Sequence, residues 1–186
     1  MKMIRLVIYT TILSVVAIVM IQSGHQSVNK DDDTLQSGII YSRLDNVDQL
    51  FQEDFDCNAV PPVVYTKVVS LAHLPISKRK EAFIRIVLPS ILIAEHEIKS
   101  ERSRLEELIK KMKQGETLTK NEVTYIKRLF KKYRTNNFKE LLVRLNTHPP
   151  SIILAQAALE SGWGSSRFFV EANNIFGIWT FKSKGG

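Results

Sequence analysis

Pro149-Pro150-Ser151-Ile152-Ile153-Leu154-Ala155-Gln156-Ala157-Ala158-Leu159-Glu160-Ser161-Gly162-Trp163-Gly164 is the stretch on which the reading of this chain turns. From Ile152 to Leu159 every residue except Gln156 is apolar, which predicts a helix buried nearly all round. Gln156 is then expected to hydrogen-bond across the core, because an unpaired buried amide costs roughly 1 to 3 kcal/mol. The helix ends at Glu160, and Gly162 and Gly164 around Trp163 allow a tight departure of the chain. A carboxylate is poorly suited to stability there. The helix C-terminus carries partial negative charge and apolar neighbours deny the anion solvent, so both effects favour the protonated acid. A neutral Glu beside an exposed Trp is what a general acid needs to protonate a glycosidic oxygen. The competing reading is a plain ion pair with Arg167, seven residues on, and the physics of the residues alone leaves the two even.

Upstream, the pattern is helical. Ser77 is placed to cap a helix that runs through Ala82, Phe83, Ile86 and Val87, meets a kink or break at Pro89, and continues through Ile91, Leu92, Ile98, Leu105 and Leu108 to a stop at Gly115. Thr119 and Glu122 have capping-box spacing ahead of Val123, Ile126, Leu129 and Phe130. Asn137 and Glu140 repeat it before Leu141, Leu142 and Leu145. No stretch alternates strongly with period two and no internal repeat is evident, so the chain is expected to be mainly α.

Composition bounds the function classes. The 186 residues are 44% apolar and 24% charged, ordinary for one folded domain with appendages, and the formal charge is +7. That charge is unevenly divided: residues 28–56 sum to −6, whereas residues 99–144 sum to +8. The acidic stretch 25–59 reads as a linker, with Pro61-Pro62 marking entry to folded structure. Lys110, Lys111, Lys113, Lys127, Lys131 and Lys132 read first as solvated helix faces, and as a hold on anionic polymer or lipid second. At the N-terminus, Lys2 and Arg5 precede an uncharged, mostly apolar run from Leu6 to Ile21, the beginning of a secretory signal. Residues 1–24 therefore serve either as a cleaved signal or as a retained membrane anchor, and an exported chain seldom meets nucleic acid. The lone Cys57 excludes an intramolecular disulfide and is expected to be a free, buried thiol. His96 has no second His at the spacing of a helical zinc motif, and no Gly-rich nucleotide loop follows a strand, so neither metal nor cofactor is implied.

The stretch from Ala155 to Phe168 resembles the signature of the bacterial glucosaminidases of glycoside hydrolase family 73. Asn173-Asn174-Ile175-Phe176-Gly177-Ile178-Trp179-Thr180-Phe181 is similar to that family's second motif. The upstream helices are similar to the lead-in of its Bax-like members, and the likeness covers roughly residues 60–186. The resemblance implies the helical lobe of a lysozyme-like fold with an N-terminal helical extension. Residues 60–148 would be the lead-in and residues 149–186 the front part of the catalytic domain, which stops short of the lobe that completes it in the family. It further implies hydrolysis of the β-1,4 bond after N-acetylglucosamine in peptidoglycan, in the periplasm or cell envelope, with Glu160 as catalytic acid. Trp163, Asn174, Phe176 and Trp179 would shape the glycan groove. Each has a plainer role beside it: Phe176 and Trp179 as packing residues, Asn173 and Asn174 as turn residues. Ile178 departs from the polar residue expected in Bax-like members. A two-carboxylate glycosidase also needs a group about 5 to 9.5 Å from the acid. After Glu160 the sequence offers only Glu171, the substrate's own acetamido group, or a segment beyond Gly186. A catalytically silent wall-binding module and a lytic transglycosylase are the alternatives.

Overall fold

A computed structural model describes residues 38–176. Five helices dominate it: α1 (Ile76–Lys113), α2 (Lys120–Lys132), α3 (Phe138–Arg144), α4 (Pro150–Ser161) and α5 (Arg167–Ala172). The expected mainly α class holds. Two short strands, β1 (Ile40–Arg43) and β2 (Val63–Lys67), precede them and pair in parallel. Among the described residues no helix is long and apolar enough to cross a membrane, and the Leu6–Ile21 run lies outside them.

The helix boundaries follow local chemistry. Thr119 Oγ1 accepts from the Glu122 N–H at 3.2 Å while Glu122 Oε2 accepts from the Thr119 N–H at 2.7 Å, the reciprocal box expected for α2. Asn137 caps α3, accepting from the N–H groups of Lys139 and Glu140. Glu140 does not reach back to complete the box, because its carboxylate is held by Thr135 and Arg144. Gly115, at φ +77, ends the run after α1 as expected.

Two expectations for α1 are corrected. Pro75 occupies the N-cap position in place of Ser77, and no side chain caps the helix. Pro89 does not break it: the helix runs unbroken for 38 residues, roughly 57 Å. Buried Phe83, Ile86 and Val87 before the proline and Ile91 after it pack into one core, which holds the helix across the missing hydrogen bond.

The acidic linker is also revised. Residues 40–43 form β1, and Leu44, Val47 and Leu50 are buried, the last two on a 3-10 turn over Val47–Phe51. Arg85 clamps this segment, donating to the carbonyls of Leu50 at 2.7 Å and Glu53 at 2.8 Å. The charges that suggested a linker lie on the outer side of a segment whose Leu44, Val47 and Leu50 point inward, while Ile40 and Tyr41 stay exposed. Cys57 is exposed, not buried.

Burial divides into two cores along α1. The first joins the 3-10 turn, Val68, Leu71, the first half of α1, Ala157 and Ala158 of α4, Phe169 of α5, and Phe176. The second joins Leu105 and Leu108 with α2 and α3 through Tyr125, Leu129, Tyr133 and Leu141. Arginines tie the ends of this second unit. Arg102 donates to the Leu142 and Leu145 carbonyls at 2.5 and 2.8 Å, and Arg144 donates to Tyr133 and Arg134, so the last carbonyls of α3 and α2 have partners.

Candidate active site

α4 opens on Pro149 and Pro150, where a missing N–H costs nothing, and runs to Ser161. The chain leaves this helix through an unusual turn. Gly162, Trp163 and Gly164 all have positive φ, at 58, 57 and 74°. For a residue as large as Trp that conformation is strained, and it persists because the surroundings fix it. The Trp163 N–H donates to the Ala158 carbonyl at 2.8 Å, and the Ser166 N–H to the Ser161 carbonyl at 3.0 Å. The buried Ser161 hydroxyl donates to the Ala157 carbonyl at 2.7 Å and accepts from the Gly164 N–H at 3.2 Å. The Gly164 carbonyl in turn accepts from the Leu71 N–H at 3.2 Å. Gly164 admits no larger residue without displacement, since a Cβ there would lie 2.8 Å from Leu71 Cδ1 and 3.0 Å from Phe169 Cε1.

Behind this turn stands Phe83, fully buried, with Trp163 edge-on at 5.7 Å and Phe169 at 5.9 Å between ring centroids. Lys80 Nζ lies 5.2 Å from the Trp163 ring centroid. The loop under Gly164 is pinned by Arg79, whose guanidinium donates to the carbonyls of Leu71, Ala72 and Leu74. The sequence does not single out Ser161, Arg79 or Lys80. A Ser just after an apolar helix is a weak signal for a cap, and nothing local marks Arg79 or Lys80.

Glu160 sits one residue before the end of α4 and is exposed. Among the described residues its carboxylate has no hydrogen bond and no ion pair. Arg167, the expected competitor for it, lies 3.5 Å from Glu171 instead, with its guanidinium over the neighbouring Phe168 ring. The apolar enclosure expected around Glu160 is not built by the described residues, because α4 buries only one side. Ala157 and Ala158 face the core, whereas Ile152 is 56% and Leu159 82% exposed. Gln156 is half-buried and makes no hydrogen bond among the described residues, so it does not bridge the core.

α5 returns the chain toward the strands. Asn173, at φ +48, ends it, and its Nδ2 donates to the Tyr65 carbonyl of β2 at 2.8 Å. Asn174 Oδ1 accepts from the Phe176 N–H at 3.0 Å, and Phe176 is buried in the first core. Both residues therefore have the plainer turn and packing partners that the sequence offered for them. Glu160 and Trp163 share one turn, and Trp179 lies outside the described residues.

Comparison with known proteins bears on the same segment. Residues 135–185 match the glucosaminidase family, described as mannosyl-glycoprotein endo-beta-N-acetylglucosaminidase. Protein bax of Escherichia coli (strain K12) is 33% identical over 114 residues. Over these residues the chain is similar to the glucosaminidase family and to a Bax relative of it. The aligned part covers 57% of this chain and 40% of the relative, so the chain spans well under half of that protein's length. No solved structure matches it. The glucosaminidase match begins at Thr135, before α3, and so takes in α3, α4, the Glu160 turn and α5 together.

Proposed function

We propose that this chain is a glucosaminidase of that family and acts on peptidoglycan outside the cytoplasm, cleaving the β-1,4 bond after N-acetylglucosamine with Glu160 as the general acid. The observation that carries the reading is the presentation of Glu160: an exposed carboxylate without a protein partner among the described residues, on the last turn of a helix whose exit is fixed by strained backbone and a buried Ser161. A proton donor must be held at a set place relative to the leaving oxygen, and a rigid turn supplies that better than a mobile loop. Trp163 supports the groove from behind through Phe83, with Lys80 over its ring. Asn174 and Phe176 shape the adjoining turn, and Trp179, outside the described residues, is assigned to substrate binding with them.

Residues 149–186 form the front part of the catalytic unit and residues 60–148 its helical lead-in. Glu171 is a poor second carboxylate, being engaged by Arg167. The step opposite Glu160 therefore falls to the substrate's acetamido group or to a residue beyond Phe176. Assistance by the substrate also accommodates a lytic transglycosylase, which needs a single carboxylate.

The test is zymography on peptidoglycan gels with the protein and Glu160→Gln, paired with circular dichroism to show that the variant folds. Clearing by the first and none by the second supports the assignment. Equal clearing by both removes Glu160 from the chemistry, and peptidoglycan binding without clearing by either makes the chain a wall-binding module. Mass spectrometry of released muropeptides separates reducing-end from anhydro products.

A further inference from the structure

We propose that the three-helix unit built on the second core, through the outer face of α2, docks the protein on an anionic lipid bilayer. Residues 98–145 hold 14 Lys and Arg against 6 Glu, a net +8, so with +7 on the whole chain everything else together carries −1. The acids of this unit are largely engaged internally. Glu101 binds Lys132, Glu106 binds Arg102, Glu122 binds Lys111, and Glu140 binds Arg144. The cations left over are exposed. Lys120, Lys127 and Lys131 of α2 have no ion pair among the described residues.

Helix geometry lines these three up. Positions 120, 127 and 131 are separated by seven and four residues, so they fall on one stripe, while Tyr125, Ile126 and Leu129 on the other side are buried in the second core. Along the stripe lies Val123, itself exposed. The unit also exposes Met112 and, at 71%, Val143, and a surface groove beside Val143 is floored by Ile109, Phe138 and Leu142 between Lys113 and Lys139. Free cations with the exposed Val123 among them, on a unit that exposes further apolar side chains, suit a surface that is anionic at its headgroups and hydrocarbon just beneath. A soluble polyanion would use the cations and leave the apolar residues without a role. Outside this unit the acids of the described residues outnumber the bases, so they are not drawn to such a surface, and docking through α2 orients them.

The experiment is co-sedimentation of the full chain with vesicles of phosphatidylglycerol and phosphatidylcholine, against vesicles of phosphatidylcholine alone. It compares the protein with Lys120→Gln/Lys127→Gln/Lys131→Gln and with Val123→Ser/Val143→Ser. The Leu6–Ile21 run is present in every protein, so ratios between variants isolate the helical unit. The expected result is preference for anionic vesicles that is lost in high salt, falls roughly tenfold or more in the triple Gln variant, and falls measurably in the double Ser variant. Circular dichroism should be unchanged, since none of the five side chains is buried. Equal binding to both vesicle types, or a triple variant that binds as the unaltered protein does, overturns the proposal. A triple-variant loss with an unaffected double Ser variant, matched by equally tight binding of soluble polyglutamate, also overturns it in favour of a polyanion partner.

Discussion

At the scale of single residues, the site depends on a turn that few sequences can adopt. Gly164 satisfies two independent demands, a φ of +74° and an approach to Leu71 and Phe169 that leaves no room for a methyl group. Gly164→Ala should therefore lower stability by about 1 to 3 kcal/mol in chemical denaturation, combining a left-handed backbone penalty with overpacking. It should lower peptidoglycan clearing further than the stability loss alone explains, because the displaced Leu71 and Phe169 hold the turn next to Glu160. Trp163 bears a similar backbone penalty without glycine's freedom, and its edge contact with Phe83 offsets it. The two glycines and the terminal carboxylate were legible because a tight exit after an apolar helix has a local signature. Lys80 over the Trp163 ring was not, since that contact joins residues far apart in sequence.

At the scale of elements, the hairpin of α1 and α2 is latched by one carboxylate. The Lys111 ammonium at 2.9 Å, then the Thr119 N–H and hydroxyl, hold the Glu122 carboxyl at about 2, against an ordinary value of 4.5. The unfolded chain takes up this proton first. The contribution to stability is thus complete above pH 4.5 and is lost as pH falls through the interval down to about 2. Hydrogen exchange at the start of α2 should quicken over that window, and Glu122→Gln should flatten the dependence. Thr119→Ala, which removes the cap, should cost about 1 kcal/mol at neutral pH. This latch was readable because a capping box is written in four consecutive residues. The Asn137 box was only half readable, since Thr135 and Arg144 compete for Glu140. β1 and β2 were not readable at all: four and five residues long, and parallel, they pair across a long acidic connection in which only Pro61-Pro62, directly before β2, marks a boundary. The outer side of α4 misled for a related reason, because an apolar run shows that a helix wants cover but not how many sides its neighbours supply.

At the scale of the whole molecule, one long helix serves two cores that share no other scaffold of comparable length. Leu129, fully buried in the second core, tests their independence. Leu129→Ala should destabilise that unit by about 2 to 5 kcal/mol. Amides of α2 and α3 should lose protection in hydrogen exchange, while those of α4 around Ala157 keep most of theirs. Loss of protection spread evenly through both units would show that the cores unfold as one.

The unbroken course of α1 also sets what kind of genetic change the molecule tolerates. Between Ala94, buried near the first core, and Ile98, packed on the second, lie Glu95, His96 and Glu97, none of them buried. Substitutions there cost at most local contacts such as the Glu95–Lys99 ion pair. An insertion or deletion of one residue is different in kind, since it turns everything beyond by about 100° and moves it by about 1.5 Å along the axis. The cationic stripe of α2 would then face a new direction relative to Glu160. The spacing along α1 is in this sense a ruler, and its length, more than the identity of its middle residues, sets how the second unit faces Glu160.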